Sequence, residues 1–300
     1  MQLVGYLIFS LFAYPLSLLP LPAIYVLADG ITFVLRDIMK YRRAVILDNL
    51  AKSFPEKSPE EVQKLCREFY SHLGDLLAES VKMLTISRRQ LGERWKNEMN
   101  ATLAKLENEN VRIIAIGSHL HNWELAGLSL SDSIDYKPAA VYLQLSNPFF
   151  DGLMLRIRRR FGTQMLRMEE CFRFLFNDSS KHSMTVFISD QAPPQKGNTL
   201  WLDFLHRETA VFLGPEKLAR KLNSPVVFLY QERIKRGRYI IHAEILCTNA
   251  AELPEGKTTE LHVRFLEKLI HKNPSQWLWS HRRWKHKRPV SESHAVKMTD

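Results

Sequence analysis

Short apolar runs alternate with segments of helical period. The pattern predicts an α/β fold with a largely parallel central sheet and helices on both faces, preceded by an N-terminal membrane helix. Three observations carry this. Runs of strand length recur at 113–116, 139–143, 184–188, 226–230 and 239–246. Lys235-Arg236-Gly237-Arg238 reads as a hairpin turn, which makes one edge antiparallel. Residues 3–28 carry no charge, a stretch longer than the ~20 positions needed to cross the hydrocarbon of a bilayer.

The elements follow in order. Residues 1–35 read as a membrane anchor, broken by Pro15, Pro20 and Pro22, that either spans as a kinked helix or dips into one leaflet. A signal peptide is a poor match, because Met1-Gln2 has no basic side chain and the apolar part is too long. Arg36, Lys40, Arg42 and Arg43 all follow the apolar stretch, so the positive-inside bias puts residues 36–300 on the cytoplasmic side. A helix at 41–50 ends at Phe54-Pro55. Ser58-Pro59-Glu60-Glu61 is a strong helix start, with Ser58 as cap and Glu61 closing a capping box. Val62, Leu65, Phe69, Leu73, Leu76 and Leu77 then keep helical spacing. A more polar helix is expected over 87–108, and others at 123–130, 149–160, 169–177, 208–222 and 258–271 between the strands.

Composition bounds the function. A chain of 300 residues, 45% hydrophobic and 25% charged, holds one large α/β domain or two small ones and is not disordered. The net charge of +10 must meet something acidic: phospholipid, a phosphorylated glycolipid, an acidic carrier protein or nucleic acid. Cys66, Cys171 and Cys247 are scattered, which fits reduced thiols and disfavours a cysteine metal site.

Chemistry concentrates at Gly117-Ser118-His119-Leu120-His121-Asn122-Trp123-Glu124. Asn122 can cap the following helix and Glu124 falls in its first turn. Residues five apart share no face of a regular helix or strand, but a turn lets the Glu124 carboxylate bend back onto the His119 imidazole. That contact would fix the tautomer and prepare the ring to take a proton from a hydroxyl. The same turn is equally readable as structural, and His121, nearer the helix, is the weaker base. Arg156, Arg158, Arg159 and Arg160 precede Phe161-Gly162, and guanidinium groups suit a phosphate or a developing oxyanion, or simply a solvated helix face. Asp190, in Ser189-Asp190-Gln191-Ala192-Pro193-Pro194, is an acid at a strand's end, readable as a supporting partner of a site residue or as an ordinary turn former. Leu213-Gly214-Pro215 opens a helix whose amides could face phosphate. The segment 274–285 interleaves three tryptophans with basic residues, as at membrane interfaces, on nucleic acid, or in a buried cluster with a basic rim.

Taken together, these residues resemble the late acyltransferases of lipid A biosynthesis, within the lysophospholipid acyltransferase superfamily. Five features appear in the family's order. They are Tyr41-Arg42-Arg43 with Asn49-Leu50 and Phe54-Pro55; His119 to Glu124; Asn147-Pro148 with Arg158, Arg160 and Gly162; Asp190-Gln191 with Gly214-Pro215 and Leu218-Ala219; and Trp277 to Lys285. One departure is Phe204-Leu205-His206, where many members have aromatic-aromatic-glycine; it bears on acceptor or acyl-chain specificity, not on reaction class. The resemblance implies an inner-membrane acyltransferase domain over 36–300. Its donor would be a thioester of acyl carrier protein, its acceptor a phosphorylated glycolipid among membrane lipids, with no cofactor, no metal and no nucleic acid. His119, Glu124, Arg158 and Asp190 would be catalytic. Asn122, Arg160, Gln191, Gly214 and Arg283 would bind substrate. The oxyanion or the acceptor phosphate falls to Arg158 or, failing that, Arg160, with Asp190 orienting that arginine. Two rival readings are the same chemistry on a lysophospholipid or other glycolipid, and a non-enzymatic protein binding anionic membrane or nucleic acid. The lack of a G-x-S-x-G elbow disfavours a hydrolase.

Overall fold

Pro20 cuts the apolar N-terminal stretch in two. The computed structural model describes residues 1–107, 112–134, 136–177, 182–193 and 198–288. Helix α1 (Gln2–Leu18) stops where Leu19 turns extended, and α2 (Leu21–Phe33) starts with Pro20 as cap, closing in one π-helical turn, Val34–Ile38. Proline blocks helix continuation through the residue before it. Among the described residues no helix is long and apolar enough to cross a membrane. The 17 residues of α1 measure about 26 Å, against ~30 Å of hydrocarbon. The expected single membrane helix is therefore two short ones.

Both lie against α4 (Pro59–Lys82), reached through α3 (Arg43–Ser53). The predicted capping box is present: Glu61 N–H donates to Ser58 Oγ at 3.3 Å, and Ser58 N–H to Glu61 Oε2 at 2.8 Å. A Cβ on Gly74 would lie 1.9 Å from Thr32 Oγ1, so glycine there is what lets α2 approach α4. Lys82 Nζ donates to the carbonyls of Ser17 and Leu19, each at 2.9 Å, and pins the break between α1 and α2. The outer faces of both helices stay apolar and bare: Leu11 and Phe12 are 70% and 69% exposed, and Leu18 and Val26 71% each.

The chain continues through α5 (Arg88–Gly92), β1 (Trp95–Asn97), α6 (Asn100–Glu107), β2 (Ile113–Gly117), α7 (Trp123–Ser133), β3 (Lys137–Tyr142) and α8 (Pro148–Arg159). Next come β4 (Gln164–Arg167), α9 (Met168–Asn177), β5 (Ser183–Ile188), β6 (Thr199–Phe204), β7 (Arg207–Phe212) and α10 (Gly214–Lys221). The last are β8 (Val226–Lys235), β9 (Arg238–Cys247) and α11 (Lys257–Lys272). The helix expected over 87–108 is split, because Trp95 is buried, stacks on Tyr239 at 4.8 Å and pairs its strand with β9. The helix expected from Glu208 begins only at Gly214; the preceding residues form β7, antiparallel to β6, with Ala210 and Val211 in the core.

Seven strands form the main sheet in the order β1-β9-β8-β2-β5-β3-β4. Strands β8, β2, β5, β3 and β4 run parallel, β9 is antiparallel to β8 as the hairpin turn predicts, and β1 lies parallel to β9. Side chains alternate across a strand. Accordingly Ile113 and Ala115 of β2 enter one apolar cluster with α7, and Ile114 and Ile116 enter the other with α3, α4, α10 and α11.

Candidate active site

Sheet order brings the chemistry together. Central β2 lies beside β5 with Gly117 opposite Ile188. His119 and Asp190 each follow two residues beyond that pair, so they meet outside the carboxyl ends of adjacent parallel strands, where open α/β sheets bind ligands. The Asp190 carboxylate accepts from His119 Nδ1 at 2.6 Å, from the His119 backbone N–H at 2.8 Å and from Trp277 Nε1 at 2.7 Å. Burial alone would raise its pKa, but the His119 ring and these donors outweigh burial and hold Asp190 at about 2. An ionised acceptor on Nδ1 keeps the proton there and leaves Nε2 as the basic nitrogen. Gln191 Nε2 donates to it at 3.1 Å.

Glu124 does something other than expected. Its carboxylate takes Arg158 in a two-pronged pair, Nε at 3.0 Å and Nη2 at 2.6 Å. The rigid fork of Arg158 on α8 thus anchors to the first turn of α7. Burial disfavours the Arg158 charge, yet the Glu124 bond raises its pKa above the ordinary value. The two carboxylates have exchanged their expected partners: Asp190 holds His119, and Glu124 holds Arg158.

His119, Glu124, Arg158 and Gln191 line one cavity of about 370 Å³. Its walls are otherwise largely apolar, including Ala126, Leu130, Val186, Leu229 and Ile241, and Leu143 and Leu145 at its edge are exposed. Trp123 packs edge-on to His119 at 4.6 Å between ring centres. The remaining expected site residues lie elsewhere. Asn122 is buried and caps α7, accepting from Leu125 N–H at 3.0 Å. Arg160 turns away to the carbonyls of Leu84 and Met83 at 2.9 and 2.7 Å, closing the end of the α4 region. Gly214 packs under the Phe212 ring, where a Cβ would fall 2.2 Å from ring carbons. Arg283 is buried near Asp190, outside the cavity wall; burial lowers its pKa to about 10, with Asp190 pulling the other way.

The tryptophan-rich segment packs behind the loops that carry His119 and Asp190. Leu120 bridges to Trp277, His121 N–H donates to Gln276 O at 3.0 Å, and Ala192 N–H donates to His281 Nε2 at 3.2 Å. Asn49 Nδ2 donates to the carbonyls of Trp279 and His281 at 2.9 and 3.0 Å, and Arg42 donates to that of Ser280 at 2.9 Å. The outermost signature motifs are thus one clasp that carries the tryptophan donor of Asp190. Pro194, within the motif after Asp190, lies outside the described residues. Sequence reasoning missed Trp277 as a partner of Asp190 and Glu79 as a partner of Asn122. For Glu79 a signal existed: His72, Asp75, Glu79 and Lys82 repeat at helical spacing and form a buried polar stripe on α4.

The family model described as bacterial lipid A biosynthesis acyltransferase matches residues 3–286. The lipid A biosynthesis palmitoleoyltransferase of Escherichia coli (strain K12) is 25% identical over 277 residues, 92% of this chain and 89% of that protein. The lipid A biosynthesis acyltransferase of Shigella flexneri shows the same figures, 25% over 277 residues. The lipid A biosynthesis lauroyltransferase of Escherichia coli (strain K12) is 23% identical over 269 residues, 89% of this chain and 87% of that protein. With a match that runs from α1 through the tryptophan clasp, the chain belongs to the bacterial lipid A biosynthesis acyltransferase family.

Proposed function

We propose that the chain moves a fatty acyl group from a thioester of acyl carrier protein to a hydroxyl of a phosphorylated lipid A precursor, at the cytoplasmic face of the inner membrane. The observation behind the reading is His119, held on Asp190 through Nδ1, with Nε2 at the polar end of a largely apolar cavity. Nε2 takes the proton of the acceptor hydroxyl as its oxygen bonds to the thioester carbon. Asp190 steadies the imidazolium, the carbon–sulfur bond breaks, and the leaving thiolate receives the proton from Nε2. The substrate hydroxyl displaces the Gln191 amide. Arg158, locked by Glu124 through Nε and Nη2, offers Nη1 to the developing oxyanion or to acceptor phosphate. Each methylene in the cavity gains about 0.8 kcal/mol, or about fourfold, so sharper chain-length selection requires a closed end.

The bare apolar faces of α1 and α2 support a membrane seat within one leaflet. Tyr6 of α1 stacks on Phe149 of α8 at 5.8 Å, which makes that surface continuous with the region of the cavity edge. A lipid acceptor then reaches His119 sideways from the bilayer.

The direct test incubates purified protein in bicelles with an acyl-carrier-protein thioester and a lipid A precursor, and weighs the products. A gain of one acyl mass that requires His119 is expected. Acylation of an added lysophospholipid instead would overturn the acceptor, and absence of any acyl product would overturn the reading.

A further inference from the structure

Glu79 is a fully buried carboxylate with no cation bonded to it among the described residues. Its acceptor positions are filled by Tyr25 Oη of α2 at 2.6 Å, Tyr239 Oη of β9 at 3.0 and 2.9 Å, and the Asn122 amide. Burying a charge is expensive unless each lone pair is met. Here three elements converge on one side chain in the α4 wall behind the catalytic loop.

The Asn122 amide is divided between two tasks. Its carbonyl caps α7 through Leu125 N–H, and its NH₂ reaches Glu79. Aspartate caps a helix as well as asparagine does but cannot donate. The pairing of Asn122 with Glu79 therefore fixes the rotation and seat of the cap. The next two residues are the ones that matter: Trp123 packs on the His119 ring, and Glu124 anchors Arg158.

We propose that Glu79 is a positioning residue for acyl transfer, acting through Asn122 to set the start of α7, and with it His119 and Arg158. The proposal rests on the acyl-transfer reading above. It predicts a polarity rule: position 79 must accept and position 122 must donate, or the reverse.

Reversal is the test. Asn122→Asp sets two carboxylates against each other, whereas Glu79→Gln alone keeps one oxygen for the Asn122 NH₂ and turns its own NH₂ to a tyrosine hydroxyl, which can accept. Glu79→Gln combined with Asn122→Asp restores one donor facing one acceptor and keeps the cap. Displacement of a catalytic group by about 1 Å is enough for losses near 10²-fold, so Asn122→Asp should lose roughly 10- to 100-fold in kcat with little change in KM for the acyl donor, and Glu79→Gln less. The double variant should recover most of the Asn122→Asp loss, and its melting temperature should exceed that of Asn122→Asp. A double variant no better than Asn122→Asp in kcat and melting would overturn the contact. Recovery of melting in the double variant with kcat unchanged by Asn122→Asp would overturn the positioning role, leaving a structural bond. Absence of transfer by the unaltered chain would count against the acyl-transfer reading alone, while the melting arm still decides the contact.

Discussion

His119 and His121 stand two residues apart on one loop, in opposite surroundings. His119 is part-exposed, bonded to Asp190 through one nitrogen and facing the cavity with the other. His121 has left-handed backbone, φ 57°, which swings its ring into the interior beside His72 and Tyr239. Burial there lowers its pKa to about 4 and keeps it neutral. Residue type and neighbourhood in sequence are nearly the same; the backbone turn decides which ring faces the cavity and which packs in the interior.

Substitution should split the two most sharply. His119→Ala is expected to cut transfer by about 10²–10⁴-fold while leaving the melting temperature near that of the parent. His121→Ala should do the reverse, costing about 2 kcal/mol or more of stability with near-normal turnover per folded molecule. Transfer rates beside denaturant titrations of both proteins check this, and swapped outcomes would show that the base is His121.

The carboxylates extend the contrast. Asp190→Asn should be the more severe of the two carboxylate changes, on the order of 10³-fold in kcat, because the acceptor that fixes the His119 tautomer is lost. Glu124→Gln should be milder, roughly 10- to 10²-fold, since it loosens Arg158 but leaves the base intact. Equal losses in single-turnover rates would mean that both carboxylates serve one group.

Acid tests the burial of His121 through stability. The folded state holds His121 near 4, below the ordinary value of 6.5. An unfolded chain takes that proton first as pH falls. The stabilisation is thus whole above pH ~6.5, declines between there and about 4, and amounts to about 3 kcal/mol. His121→Phe, of similar bulk and without a titrating group, should flatten that share of the decline in unfolding measured from pH 7.5 to 4.5. The smallest effect concerns a third histidine. His206 is exposed with φ 62° in the tight turn between β6 and β7, so His206→Gly should raise stability by about 1 kcal/mol in the same titrations.

Much of this was legible in the sequence. The apolar run ending at Gly117, the Asn122 cap, the Ser58 box and the 235–238 hairpin all rest on local chemistry, and local chemistry is what a linear chain displays. Partner choice was not legible. Nothing in the spacing of His119, Glu124 and Asp190 says that β2 lies beside β5, and that adjacency is what hands the histidine to Asp190. Trp95 defeated the helix expected over 87–108 because its burial against Tyr239 outweighs the helical pattern around it. The N-terminal stretch displays three prolines, but the sequence does not say that Pro20 is the one that cuts it or that Lys82 clamps the break. Glu79 was hidden because a polar stripe on a helix reads as solvent-facing until other elements cover it.

The clasp between Asn49 and the backbone of Trp279 and His281 also sets an order of events on the ribosome. Every strand of the sheet is synthesised before Trp277 leaves the exit tunnel, so a nascent chain can pair its strands while Asp190 lacks its indole donor and one apolar cluster lacks Trp277 and Trp279. Completion of the Asp190 hydrogen bonds waits for residues made late. A polypeptide released after β9 but before position 277 would hold every strand of the sheet and lack the indole that holds Asp190.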